Sequence, residues 1–312
     1  MKRILTVVIG GLLPFGALFA QTPTTNFNTQ SNWSLHKKEL RIGFGATQFN
    51  GDLGGNVGVG RNYSLYDLDW PATGVGGTLG FRYRFAPMFA TTSSLNFFSL
   101  KADDQFSEEV IRNSRNLRFS SFNIELSQRM DLILFSREKF GSLYNLPGNY
   151  TLKSLASQYY LFAGIGIMYF NPKAEYNGTT YALRKLRTEG QEKAYSPITG
   201  TMSFGYGMRW SVSRMWRVGV EVSYSKTFSD YIDDVSTTYA TAAQLGNDPI
   251  RMGLANMAPG NPSFAPGQQR GNSTQKDAFY NINVVVTRNI TYKDYGRQRN
   301  RQTLKSGGRF KV

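Results

Sequence analysis

Few of the 312 residues offer groups for covalent or metal chemistry: there is one His, His36, and no Cys. The chain therefore has no thiol nucleophile, zinc–thiolate site or disulfide framework, and a single imidazole cannot supply a multi-His metal cluster. A Ser nucleophile would have to take its base from His36, which precedes the first strand pattern instead of lining a site. Asp103-Asp104 and Asp233-Asp234 have the oxygen ligands of a divalent-cation loop, and solvated turn carboxylates are the competing reading. The run Gly74-Val75-Gly76-Gly77-Thr78-Leu79-Gly80 looks like a phosphate loop, but its glycine spacing is wrong and its odd residues fit one face of a strand. No catalytic residue, cofactor or metal site is expected.

The remaining charges that could act together are spaced by two. Arg82 and Arg84, Glu125, Arg129 and Asp131, Arg209, and Glu221 each fall on the polar side of a segment whose other side is apolar. Such alternation predicts strands. In 74–85, Val75, Leu79, Phe81, Tyr83 and Phe85 oppose Thr78, Arg82 and Arg84. In 122–134, Phe122, Ile124, Leu126, Met130 and Leu132 oppose Asn123, Glu125, Arg129 and Asp131. The same pattern runs through 40–47, 198–212, 216–225 and 280–287, where Val285 breaks it, and more weakly through 88–100. The apolar segment 159–170 is too short for a membrane helix, at ~18 Å, but as a tilted strand it spans about 28 Å. Eight strands of this length predict an all-β, eight-stranded antiparallel transmembrane barrel of the bacterial outer membrane. Apolar side chains, with aromatics near their ends, face lipid; Gly, Ser, Asn and charges fill the lumen, where the arginines, Arg41 and Arg217 included, pair with Glu125, Asp131 and Glu221. A soluble barrel with the faces reversed would have to pack too many large apolar side chains into an eight-stranded interior.

The connections support the same layout. Ala86-Pro87 and Ser213-Arg214 are tight, whereas 50–73, 102–116, 171–197 and 229–277 are long, so with the N-terminus in the periplasm every long loop is extracellular. The connection 136–156, with Pro147-Gly148, is a long periplasmic exception. The fourth loop, with Pro249, Pro259, Pro262 and Pro266, reads as mobile. Residues 1–20 read as a signal peptide, with Lys2 and Arg3 before an apolar run, and a retained membrane helix is the alternative. Residues 21–38 then form a periplasmic linker, 39–292 the barrel and 293–312 a basic periplasmic tail. From position 288 onward eight basic residues face one acid, Asp294. Arg297, Arg299, Arg301, Lys305, Arg309 and Lys311 are the candidate partner-binding set, suited to an acidic protein and not to nucleic acid, which the periplasm lacks; a disordered solubilising tail is the competing reading.

Gly51-Asp52-Leu53-Gly54 after the first strand, and Arg115-Asn116-Leu117-Arg118-Phe119 leading into the strand with Ile124-Glu125-Leu126, resemble the PorG family, small outer-membrane barrels of the type IX secretion system. The likeness covers 40–135 best. It implies a non-enzymatic component that anchors periplasmic ring subunits resembling the PorK lipoprotein and PorN, in machinery that exports proteins and, in gliding species, adhesins. It also marks Asp52, Arg115 and Asn116 as motif residues. Two other readings stand beside it: a stand-alone OmpA-like barrel binding surface ligands through its loops, and a membrane-embedded lipid-modifying enzyme using His36 or a lumen acid.

Overall fold

A computed structural model describes residues 37–54, 70–107, 109–136, 157–212 and 215–290. Its barrel strands are β1 (Lys38–Asn50), β2 (Gly74–Arg84), β3 (Phe89–Asp103), β4 (Arg118–Ser136), β5 (Ser157–Tyr169), β8 (Ile198–Ser211), β9 (Trp216–Thr227) and β10 (Ala278–Asn289). Each pairs antiparallel with the next, and β10 returns to pair with β1 from Glu39↔Asn289 to Asn50↔Ala278. The ladder is thus a closed barrel of eight strands without an edge, the arrangement that satisfies every ladder N–H and C=O in a hydrocarbon medium.

The other two strands, β6 (Pro172–Tyr176) and β7 (Thr179–Ala182), form a hairpin within 171–197, a segment the sequence reading treats as plain loop. Asn177 and Gly178 sit at its tip with φ of 50° and 75°, the conformation a two-residue hairpin turn needs. The hairpin extends the sheet past β4, opposite Ser120 and Ser121. Three short helices, α1 (Val110–Arg115), α2 (Leu183–Leu186) and α3 (Pro249–Ala255), also lie in the long connections.

Period two decides which side chains meet lipid. Ile42, Phe44, Leu79, Leu126, Ile165, Ile167, Met202, Tyr206 and Val284 are exposed on the outside, while Glu39, Arg82, Thr92, Asn123, Asp131 and Arg217 are buried inside. An exposed apolar belt around a polar interior is the pattern of a barrel that spans a membrane. Val285 belongs to the inward set, buried against Gly43. β3 is the weakest part of the belt because Thr91 and Ser93 point outward; with Gln128 of β4 they form a polar patch whose members hydrogen-bond one another.

The interior is not polar throughout. Toward the long loops it becomes apolar, with Phe49, Phe98, Leu100, Phe119, Met168, Phe170 and Phe279 packed against Leu53, Ile232, Val235 and Leu254 of the loops. A lumen filled only by small and polar residues is therefore corrected. At this end the loops cover the mouth and exclude water, so inward positions bury apolar area as in a soluble core. The signal peptide, almost all of the 21–38 linker, His36, the 137–156 connection, Ser213-Arg214 and the basic tail lie outside the described residues.

Candidate functional site

Two polar assemblies hold most of the described residues that the sequence singles out. The first crosses the barrel interior toward the short-turn end. Glu39 accepts from three arginines on three strands: Arg82 at 3.2 Å, Arg209 at 2.6 Å and Arg217 at 2.9 Å. Glu221 takes Arg41 at 2.6 Å and Arg129 at 2.7 Å, and Asp131 takes Arg82 at 2.6 Å and Arg129 at 3.1 Å. Three carboxylates and five guanidiniums thus form one connected layer, because Arg82 and Arg129 each bridge two acids. Tyr160 donates to Glu221, and the Arg82 and Arg209 guanidiniums stand 5.3 Å and 6.0 Å from its ring centroid, while Arg129 stands 3.9 Å from that of Phe162. Small residues make the space: a Cβ on Gly164 would collide with Arg129, and one on Gly207 with the Tyr160 ring.

Glu125 stands apart from this layer. Instead of an arginine, Thr201 and Asn96 donate to it, which corrects its expected pairing. It sits nearer the loop end than Arg129, and a cavity of about 60 Å³ lined by Ser, Thr and Asn side chains separates the charge layer from the apolar plug. Arg84 donates to the carbonyl of Pro87 in the β2–β3 turn. Glu39, the acid with the most arginine partners, lies outside the expected strand 40–47 because β1 begins two residues earlier, at Lys38. Its parity with Arg41 is the signal that would have found it.

The second assembly ties the long loops together, and Asp52, Arg115 and Asn116 are in it. Arg115 donates to both oxygens of Asp104, at 2.7 and 3.0 Å, to the carbonyl of Asp52 at 2.8 Å and to that of Arg270 at 2.8 Å. One side chain thereby fixes the first, second and fourth loops. Asn116 ends α1 with φ 53°, a left-handed position Asn tolerates, and the reversal turns Arg115 inward and sends Leu117 into the apolar plug. Asp52 accepts the N–H of Asn272 at 2.7 Å. Arg270 continues the chain of contacts, donating to Glu189 at 3.0 Å, while Glu189 accepts from the N–H groups of Ser236 and Thr237. The third loop joins by this route. Arg270 and Glu189 carry no local sequence signal; only the fold brings them together.

Asp103 is a partly exposed turn carboxylate, as one of the two sequence readings expects, but Asp104, Asp233 and Asp234 fit neither reading. Asp103 accepts the N–H of Gln105, and Asp104, fully buried, holds Arg115 and the N–H groups of Gly54 and Leu117. Asp233 accepts from the N–H groups of Leu53 and Val235, and Asp234 from Thr188 and Tyr195. Both Asp233 and Asp234 are buried. Their oxygens are spent on loop amides and hydroxyls, and among the described residues no group of three acids or His is disposed to hold a metal ion. The fourth loop, expected to be mobile, is folded over this network through α3 and the buried Ile232, Val235, Leu254 and Phe264.

Burial sets the acids of this cap apart electrostatically. It pushes Asp230 up to about 7 and Asp234 up to about 6, the latter against the pull of Arg270. Burial, then repulsion from neighbouring carboxylates, raises Asp233 and Asp277 well above the usual range, and burial raises Asp52. Beside the network, Tyr176, Tyr239, Met252, Phe264 and Pro266 line an outward groove of about 400 Å³.

No protein-family model and no curated protein matches the chain. Among solved structures it is similar to Neisserial surface protein A at 8% identity, covering 81% of this chain and 97% of that one, with a TM-score of 0.36. It is similar to OprG from Pseudomonas aeruginosa at 12% identity, over 81% and 94% of the two chains, with a TM-score of 0.33. The attachment invasion locus protein Ail of Yersinia pestis gives 10% identity, 81% and 98% coverage and a TM-score of 0.32. Likeness this low carries no argument about activity or partners; the closed hydrogen-bonded ladder and its apolar belt are what make this chain an eight-stranded membrane barrel.

Proposed function

We propose that this chain is a non-enzymatic barrel of the bacterial outer membrane, with both termini in the periplasm, that anchors or organises periplasmic ring subunits of a type IX protein secretion machine. The observation that supports it is the filled interior. An ion-paired layer and an apolar plug lie in series, with room for only about 60 Å³ between them. Such a barrel has no conduit, and its useful surfaces are its two ends. The resemblance to PorG adds the machinery, and the two motifs that carry it meet in one cluster, where Arg115 binds Asp52. The periplasmic face, with the 136–156 connection and the basic tail, docks proteins resembling the PorK lipoprotein and PorN.

Crosslinking and affinity capture from native outer membranes test this. A chain ending at Tyr292 is expected to insert normally and lose co-purifying periplasmic proteins; retention of all of them would exclude the tail as the dock. Recovery of no secretion-ring subunit with the full chain would remove the secretion role itself.

A second reading, a surface-ligand barrel of the OmpA-like type, draws on the folded loop cap and its 400 Å³ groove. Deleting 240–268 discriminates: loss of surface binding with periplasmic partners retained favours that reading.

A further inference from the structure

Just beyond the apolar belt, three strand segments lie side by side on the outer surface: the ends of β3 and β4 and the hairpin strand β6. Their register puts Lys101 opposite Ser120, and Ser120 opposite Lys173. All three side chains point outward and are exposed. One pleat farther from the belt, Arg118 faces Asp103 across the β3–β4 ladder, and Glu175 follows Lys173 on the same face of β6. The outer row thus carries one guanidinium and two carboxylates, whereas the row nearest the belt holds two ammonium groups with a hydroxyl between them and no carboxylate. Adjacent strands are ~4.8 Å apart, so the two lysine backbones are separated by about 10 Å and both side chains can close on one anion above Ser120.

The surface beneath this row is apolar. Phe122, two residues along β4 from Ser120, is 59% exposed, and Tyr169 of β5 is 45% exposed. These aromatics and the three polar residues line one cleft of about 670 Å³, whose outer rim is formed by Asp103, Arg118 and Glu175. Next to the cleft on the lipid-facing belt is the exposed Ile124, which is paired with Tyr169.

We propose that Lys101, Ser120 and Lys173 seat the phosphate of a membrane lipid in the leaflet that meets the long loops, with the lipid's apolar body over Phe122 and Tyr169. Two point cations and a hydroxyl donor match a phosphate, whose several oxygens accept from all three groups at once. The aromatic floor and its continuity with the belt select a lipid over a free anion, which would gain nothing from either. The inference rests on the membrane-spanning barrel and is independent of the secretion role.

The test uses the full chain in nanodiscs of phosphatidylcholine containing a minority of phosphatidic acid, with the retained lipid read by native mass spectrometry. Phosphatidic acid is expected to be enriched on the unaltered protein. The double substitution K101Q/K173Q should lower that enrichment by roughly tenfold or more, two surface cations having been removed. Ser120→Glu, which keeps both lysines and puts a carboxylate between them, should do the same, so the outcome does not hang on one variant folding. Lys38→Gln at the opposite end of the barrel should leave the enrichment unchanged. Equal enrichment on the unaltered protein and on both seat variants would overturn the proposal. Displacement of the lipid by inorganic phosphate at equal concentration would overturn the assignment to a lipid.

Discussion

The barrel interior and the loop cap are both built from buried Arg, Asp and Glu, yet their charge balance and their partners differ. In the charge layer of the barrel five guanidiniums outnumber three carboxylates, and each of the three faces two or three arginines, all from other strands except Arg129 beside Asp131 on β4. In the cap, acids predominate, and much of what they bind is backbone N–H: Leu53 and Val235 to Asp233, Ile232 to Asp277, Asn272 to Asp52. Strands already have their amides paired in the ladder, so their charged side chains are free to pair with one another. Loops do not, and carboxylates finish the hydrogen bonding that the loop backbone lacks. The consequence is a rigid plug of opposite charges in one place and a cluster of mutually repelling acids in the other.

The comparison can be broken at its two hubs. Removing Glu39 by Glu39→Ala leaves Arg82, Arg209 and Arg217 facing one another without their shared acid, and is expected to cost about 3–5 kcal/mol. The denaturant midpoint for loss of strand signal should fall accordingly, with Glu39→Gln losing less. Arg115→Ala acts on the other assembly. It strands Asp104 and frees three loops, a loss of about 3 kcal/mol confined to the cap. Protease cleavage within 229–277 should rise sharply while the barrel keeps its strand signal. Collapse of the barrel in this variant would mean that the two assemblies are a single cooperative unit.

Acidity separates the regions further. Asp230 and Asp234 are raised to about 7 and about 6, so the folded cap favours their protonated forms. Their contribution to stability is fully present below the ordinary carboxylate range near pH 4 and is lost as pH rises through 6 to 7, with Asp233 and Asp277 carrying the loss in the same direction. Amide exchange in 229–277 should therefore be slower at pH 5 than at pH 8 after correction for the intrinsic rate. Exchange that is faster at pH 5 would contradict the buried-acid account. The smallest effect is expected at Asn116: Asn116→Ala places a Cβ-bearing residue without local hydrogen bonding at φ 53° and should cost about 1 kcal/mol, whereas Asn116→Gly should be nearly neutral. Protease sensitivity of the second loop would resolve the two.

Legibility in the sequence followed the same division. Arg82, Arg129, Asp131, Arg209 and Glu221 could be placed on the inward face because a strand repeats every two residues, and the face of one side chain follows from that of the next. Glu39 lies just before the alternating run 40–47 and shares its inward parity, whereas Glu125 falls on the inward face but its partners, Thr201 and Asn96, depend on its height along the barrel, which the register sets. In the loops there is no period. Asp104 and Asp233 looked like solvated turn residues because nothing local signals that another loop will cover them. The Asn177-Gly178 hairpin is the exception: its two-residue turn is a local signal, carried by the dipeptide itself.

The sequence by itself determined the eight alternating strands, their lipid and lumen faces, the lack of thiols and the scarcity of imidazole. All of these follow from residue type and a short-range period. Only the tertiary structure decided which lumen charges meet, that the loop end is an apolar plug under a folded cap, that Arg115 binds Asp52, and that Lys101 and Lys173 flank Ser120. Those facts depend on register between strands and on loop closure across as many as 220 residues of chain, from Asp52 to Asn272. Such contacts are fixed by the mutual fit of distant segments and leave no local pattern to read.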